Sequence, residues 1–156
     1  MSDKRITVVG GGAWGTALAI QAVRAGADVE LVLRDRALAE RIDTSGENDV
    51  YLPGIKLPEA LRATVAIDGL RESNAVLLVT PAQHLRSTLS KLAPHWPETL
   101  PAIICAKGIE KKTGALMAHV VNETLGDVPV AVLSGPTFAQ EVAKGLPAAI
   151  TLACSD

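Results

Sequence analysis

The stretch VVGGGAWGTALA, residues 8–19, constrains this chain more than any other. It sets three consecutive glycines, and a fourth three positions on, between an apolar run and a helix-like segment. Each glycine in ordered structure costs roughly 0.5–1 kcal/mol of extra backbone entropy against alanine. Leaving out so many side chains implies that something approaches this backbone closely. The pattern G-x-G-x-x-G is met by Gly10, Gly12 and Gly15, with Gly11 in the first variable slot. Gly10 permits a tight strand-to-helix turn, Gly12 lets a pyrophosphate come near the backbone, and Gly15 lets the helix pack tightly. The first N–H groups of the helix have no partner within it and face the phosphates. The spacing alone is a weak signal. Here it follows the first strand and opens a helix, and a βαβ unit closes within about 30 residues, as dinucleotide binding requires. No Gly-Lys-Ser/Thr follows, which disfavours a P-loop.

The remainder alternates short aliphatic runs with helical stretches. Strands are expected at 5–9, 28–33, 63–67, 75–80, 102–106, 130–134 and 148–153, and helices at 13–25, 36–43, 82–93, 114–125 and 137–144. The strands read as nearly continuous apolar runs, as they do when helices cover both faces of a parallel sheet. This rhythm predicts an α/β fold: a doubly wound, Rossmann-type, mostly parallel sheet with helices on both faces. Pro81 and Pro136 suit first helical turns, Ser134 or Thr137 suits an N-terminal cap, and Gly26, Gly126 and Gly145 suit helix stops. Residues 44–61 break the rhythm and read as a long ordered loop carrying the lone Tyr51. No linker or internal repeat divides residues 1–156, so one domain is expected.

Composition narrows the partners. A formal charge of −2 and a pI near 5.9 give no support to nucleic acid or a membrane surface. No apolar run reaches about 18 residues, and the start MSDKRITVV lacks the apolar core of a signal peptide. Cys105 and Cys154 each sit alone in an apolar run, which predicts two reduced, buried thiols and a cytoplasmic setting. His84, His95 and His119 lack a neighbouring Cys or His, so no metal is expected and all three are read as structural or surface residues.

The second strand should end at the residue that reads the adenosine ribose. VELVLRDR offers Arg34, Asp35 and Arg36 there. An arginine pairs with the 2′-phosphate of NADP, whereas an acid accepts from the free 2′-OH of NAD. Arg34 is the first polar residue past the aliphatic run and favours NADP, with NAD served through Asp35. Two further stretches, ICAKGIEKKTG and LSGPTFAQEVAKG, follow buried strands, at the sheet end where ligands sit in open α/β folds.

Together GGGAWGTALA, YLPGI, AKGIE and SGPTFAQEVAKGLPAA resemble the N-terminal cofactor domain of the bacterial, NAD(P)-dependent glycerol-3-phosphate dehydrogenases, from about residue 5 onward. Two departures stand out. Gly11 is often alanine in such loops, and TPAQHLR, with Ala82, replaces the usual Pro-Ser start of that helix. The resemblance implies hydride transfer between NAD(P)H and dihydroxyacetone phosphate, giving sn-glycerol 3-phosphate for glycerophospholipid synthesis. It implies that Ala13, Trp14, Arg34 and Ala139 contact the cofactor. It makes Lys107 a contact of both cofactor and substrate, and gives Gly135 and Thr137 to the substrate. Lys107 would then stabilise the charge that grows on the carbonyl oxygen.

The general base and the phosphate-gripping groups belong to the family's helical second domain, outside these 156 residues. The chain alone is therefore expected to bind cofactor with negligible turnover, and to self-associate through surface meant for that domain. Two alternatives are weaker. A hydroxyacyl or ketopantoate type of dehydrogenase would not need SGPTFA, and a stand-alone dinucleotide sensor would have no use for Lys107 beside Thr137.

Overall fold

The apolar runs assemble into one seven-stranded sheet in the computed structural model of the chain, which describes residues 4–154. The strands are β1 (Arg5–Val9), β2 (Asp28–Val32), β3 (Leu61–Thr64), β4 (Ala75–Leu78), β5 (Ala102–Ile104), β6 (Val130–Ser134) and β7 (Thr151–Cys154). The helices are α1 (Ala13–Arg24), α2 (Arg36–Ser45), α3 (Ala82–Leu92), α4 (Met117–Leu125) and α5 (Ala139–Lys144). Strand order is β3-β2-β1-β4-β5-β6-β7, parallel throughout except for the antiparallel β6–β7 pair. The order reverses between β1 and β4, the topological switch point of a doubly wound sheet.

Continuous apolar runs make sense here because successive strand residues point to opposite faces and both faces are covered. Val8, Leu31 and Leu77 join one core with α1, α2 and α5; their neighbours Val9, Val32 and Leu78 join the other, with α3 and α4. Truncating a fully buried member such as Leu78 or Leu85 to alanine costs about 2–5 kcal/mol. Among the described residues no helix is long and apolar enough to cross a membrane.

Several boundaries differ from the sequence expectation, the strand ends for want of a pairing partner. The strand expected at 63–67 lies at Leu61–Thr64, because Thr64 pairs with Val32, the last residue of β2. The strand expected at 148–153 begins only at Thr151, opposite Ser134, the last residue of β6. The helix expected from 114 begins at Met117, because Ile109 and Leu116 form an antiparallel bridge before it. The helix expected from 137 begins at Ala139, capped by Phe138 without a side-chain bond. Pro136 and Thr137 thus precede the helix rather than open it, Ser134 is a strand residue rather than a cap, and Pro81 stands at the N-cap of α3. The long loop is ordered as expected: Leu52, Ile55 and Leu57 are buried, and Glu47 bridges Lys56. Cys154 departs from the reading of two buried thiols, since it lies exposed on the edge strand.

Candidate functional site

At the switch point the glycine loop passes between the carboxyl ends of β1 and β4. Gly10 has φ +122°, and a Cβ there would stand 2.9 Å from the carbonyl carbon of Val79. A Cβ on Gly15 would stand 1.8 Å from the carbonyl oxygen of Gly10, so only glycine lets α1 begin so close to the turn. Gly11 leaves the space that Leu33 fills. Gly12 differs from all three: a Cβ there would meet nothing within 4 Å. Two members of the motif therefore satisfy packing, and the third opens onto free space where a ligand could lie. Among the described residues no backbone acceptor serves the N–H groups of Gly12, Ala13 or Trp14. Unpartnered N–H groups at a helix start are of the kind that can hold an anion.

Beside the loop lies a cleft of about 320 Å³ lined by Trp14, Thr80, Cys105, Lys107, Thr137 and Ala139, among others. Trp14 Nε1, Thr80 Oγ1 and Thr137 Oγ1 are buried without a hydrogen-bond partner. Orphan buried polar atoms are rare and costly, at about 1–3 kcal/mol each. Three on one cleft suit a polar ligand that would complete them. Lys107 is exposed past β5, and its Nζ donates to the carbonyl of Gly135 at 3.2 Å, joining the two sequence stretches singled out above. A Cβ on Gly135 would stand 2.3 Å from the carbonyl oxygen of Ala149, so the return toward β7 requires glycine there. The Cys105 thiol is pushed up to about 12 by burial and is neutral.

The structure thus gathers Trp14, Lys107, Thr137 and Ala139 on one cleft, with Gly135 held by Lys107. Arg34 lies apart from that lining, exposed beyond β2 with no ion pair or hydrogen bond among the described residues. Asp35 accepts from the Leu38 N–H as the N-cap of α2, so its carboxylate already serves the backbone. His84, His95 and His119 are exposed, and no group of metal-ligating side chains occurs among the described residues.

Sequence reasoning missed Thr80, although its place after β4, at the same sheet end as the glycines, was a usable signal. It also missed how the Lys107 loop is fixed. Arg86 on α3 makes a bidentate pair with Glu110, at 2.9 Å to each carboxylate oxygen, and reaches Glu123 at 2.7 Å. Gln83 donates to the Ile109 carbonyl and accepts from the Lys111 N–H. A side chain one position past Ala82 therefore makes the polar tie. The Arg86 guanidinium and the Thr113 hydroxyl hold the Glu110 carboxyl down at about 2.

A family model described as the NAD-dependent glycerol-3-phosphate dehydrogenase N-terminus matches residues 5–156. A glycerol-3-phosphate dehydrogenase [NAD(P)+] of Paramagnetospirillum magneticum is 55% identical over 152 residues, covering 97% of this chain and 55% of that protein. The protein of the same name from Parvibaculum lavamentivorans is 49% identical over 156 residues, covering 100% of this chain and 47% of that one. The chain thus spans about half the length of the curated relatives it matches. The crystal structure of glycerol-3-phosphate dehydrogenase from Coxiella burnetii superposes with a TM-score of 0.92 at 33% identity, over 99% of this chain and 48% of that one. From the glycine loop, the cleft and these matches it follows that the chain belongs to the family of NAD-dependent glycerol-3-phosphate dehydrogenase N-terminal domains.

Proposed function

We propose that residues 1–156 form the dinucleotide-binding domain of a cytoplasmic sn-glycerol-3-phosphate dehydrogenase that prefers NADP and accepts NAD. The single observation that carries this is the glycine loop: unpartnered N–H groups border Gly12, whose missing side chain leaves open space beside the cleft. The fit extends to the orphan Trp14 Nε1, Thr80 Oγ1 and Thr137 Oγ1, which need a polar ligand. Gly10, Gly12, Ala13, Trp14, Gly15, Lys107 and Ala139 would hold the cofactor, while Arg34, unpaired and exposed, would meet the 2′-phosphate.

When bound, NAD(P)H would supply a hydride to the central carbon of dihydroxyacetone phosphate. Lys107, on the cleft, would meet the charge that grows on the carbonyl oxygen, and one such donor is worth roughly 2.7–4 kcal/mol. Its bond to the Gly135 carbonyl orients the ammonium group, and Gly135 and Thr137 would position the substrate. The remaining chemistry, the general base above all, falls to the family's helical domain. Isolated residues 1–156 therefore bind cofactor and turn over negligibly.

Calorimetric titration with NADPH and with NADH tests the cofactor side. NADPH should bind more tightly, and Arg34→Ala should weaken it about tenfold while barely changing NADH, the loss of one charge-assisted contact. Equal affinities in the parent chain would remove Arg34 from this role. Near-normal oxidation of NADPH with dihydroxyacetone phosphate by the isolated chain would overturn the division of labour.

A further inference from the structure

We infer that Asn48, in the long loop between α2 and β3, is a positioning residue for diphosphate recognition: it holds the Gly11–Gly12 peptide group from behind so that the Gly12 N–H faces the ligand. The inference rests on the dinucleotide site proposed above. Asn48 is fully buried, 0% exposed, although it sits in a loop. Its Nδ2 donates to the Gly11 carbonyl at 2.9 Å and to Thr16 Oγ1 at 2.8 Å, and its Oδ1 accepts from the Tyr51 N–H at 3.3 Å. The amide orientation is fixed by these partners, since a carbonyl only accepts and a backbone N–H only donates. Both donors and the acceptor are used, so this buried polar group carries no desolvation debt.

The consequence for the ligand comes from peptide geometry. The chain has no cis peptide bond among the described residues, and across a planar trans peptide the C=O and the next N–H point in opposite directions. The Gly11 carbonyl is drawn inward by Asn48, so the Gly12 N–H of the same plane is aimed outward. No backbone acceptor meets that N–H among the described residues, and the space off the neighbouring Cα is open as well, with nothing within 4 Å of where a Gly12 Cβ would be. Glycine flanks this peptide on both sides, so side chains restrain its rotation little, and an external hold is what fixes it. The second bond of Asn48, to the buried Thr16 hydroxyl on α1, ties the same amide to the helix whose first turn supplies the neighbouring N–H groups. Asn48 itself touches no ligand and acts through Gly12.

The test compares NADPH with adenosine 2′-monophosphate, which lacks the diphosphate bridge, on the 156-residue chain and its Asn48→Ala variant. We expect Asn48→Ala to weaken NADPH about tenfold, the loss of one well-aimed bond to a charged group, and to leave adenosine 2′-monophosphate unchanged. Equal NADPH affinity in the two proteins, or equal weakening of both ligands, would overturn the inference; the second result would mark Asn48 as merely structural. A parent chain that fails to bind NADPH would overturn the functional proposal instead. Should Asn48→Ala not fold, amide NMR of the parent chain decides the matter. Inorganic diphosphate should shift the Gly12 N–H resonance, and an unmoved Gly12 signal at saturation would refute the aim assigned to it.

Discussion

At the scale of single residues, the two cysteines show how far position outweighs composition. Cys105 lies just past β5 and is buried against the cleft; burial alone lifts its thiol to about 12. The thiolate is the reactive species, so at pH 8 Cys105 should be inert, whereas Cys154, exposed on β7, should react freely. A disulfide-exchange reagent should therefore titrate one thiol quickly in the native chain and the second only on unfolding. Two fast thiols would show that the sheet end around Cys105 opens readily. The sequence places both residues in apolar runs and so predicts two buried thiols. What it does not reveal is that the last strand has a neighbour on one side only.

At the scale of elements, the loop after β5 is strapped to α3 by the Arg86–Glu110 pair and the two bonds of Gln83. The Glu110 carboxyl, held at about 2 against an ordinary 4.5, makes this strap sensitive to acid. Because its folded value is depressed, the pair contributes stability that is complete above about pH 4.5 and is lost as the pH falls through about 2. Thermal melts should show the parent chain ahead of Glu110→Gln above pH 4.5, with the two curves converging toward pH 2. A constant offset across that range would place the effect elsewhere. The same elements show what was legible. β1, α1 and β6 follow from aliphatic runs and glycine punctuation: β1 and β6 match the expected residues at both ends, and α1 starts where expected. The ends of β3 and β7 were not legible, because a strand stops where its neighbour stops, and that neighbour is distant in sequence. Lys107, Gly135 and Thr137 could be read as motifs. Asn48, Gln83 and Arg86 could not, since the partners that tie them to the site lie 24 to 37 residues away and no spacing rule joins them.

At the scale of the molecule, one flank of the sheet stays open. All four residues of β7 are exposed, and Val132, Ile150 and Leu152 present apolar side chains nearby, with Phe138 74% exposed. Such patches on soluble domains mark contact surfaces. The isolated chain is therefore expected to self-associate in sedimentation velocity as its concentration rises. Leu152→Glu should shift it to monomer while changing stability by less than about 0.5 kcal/mol, as for other exposed positions. A concentration-independent monomer would count against that role for the face. The face that carries α1 and α5 behaves otherwise. α5 packs on α1, with Gln21 Nε2 donating to the Val142 carbonyl and Ala143 fully enclosed, and both helices begin at the cleft. Their shared seam ties the two helices together where they border the cleft. The helical side of the cleft is therefore pre-shaped before a ligand arrives.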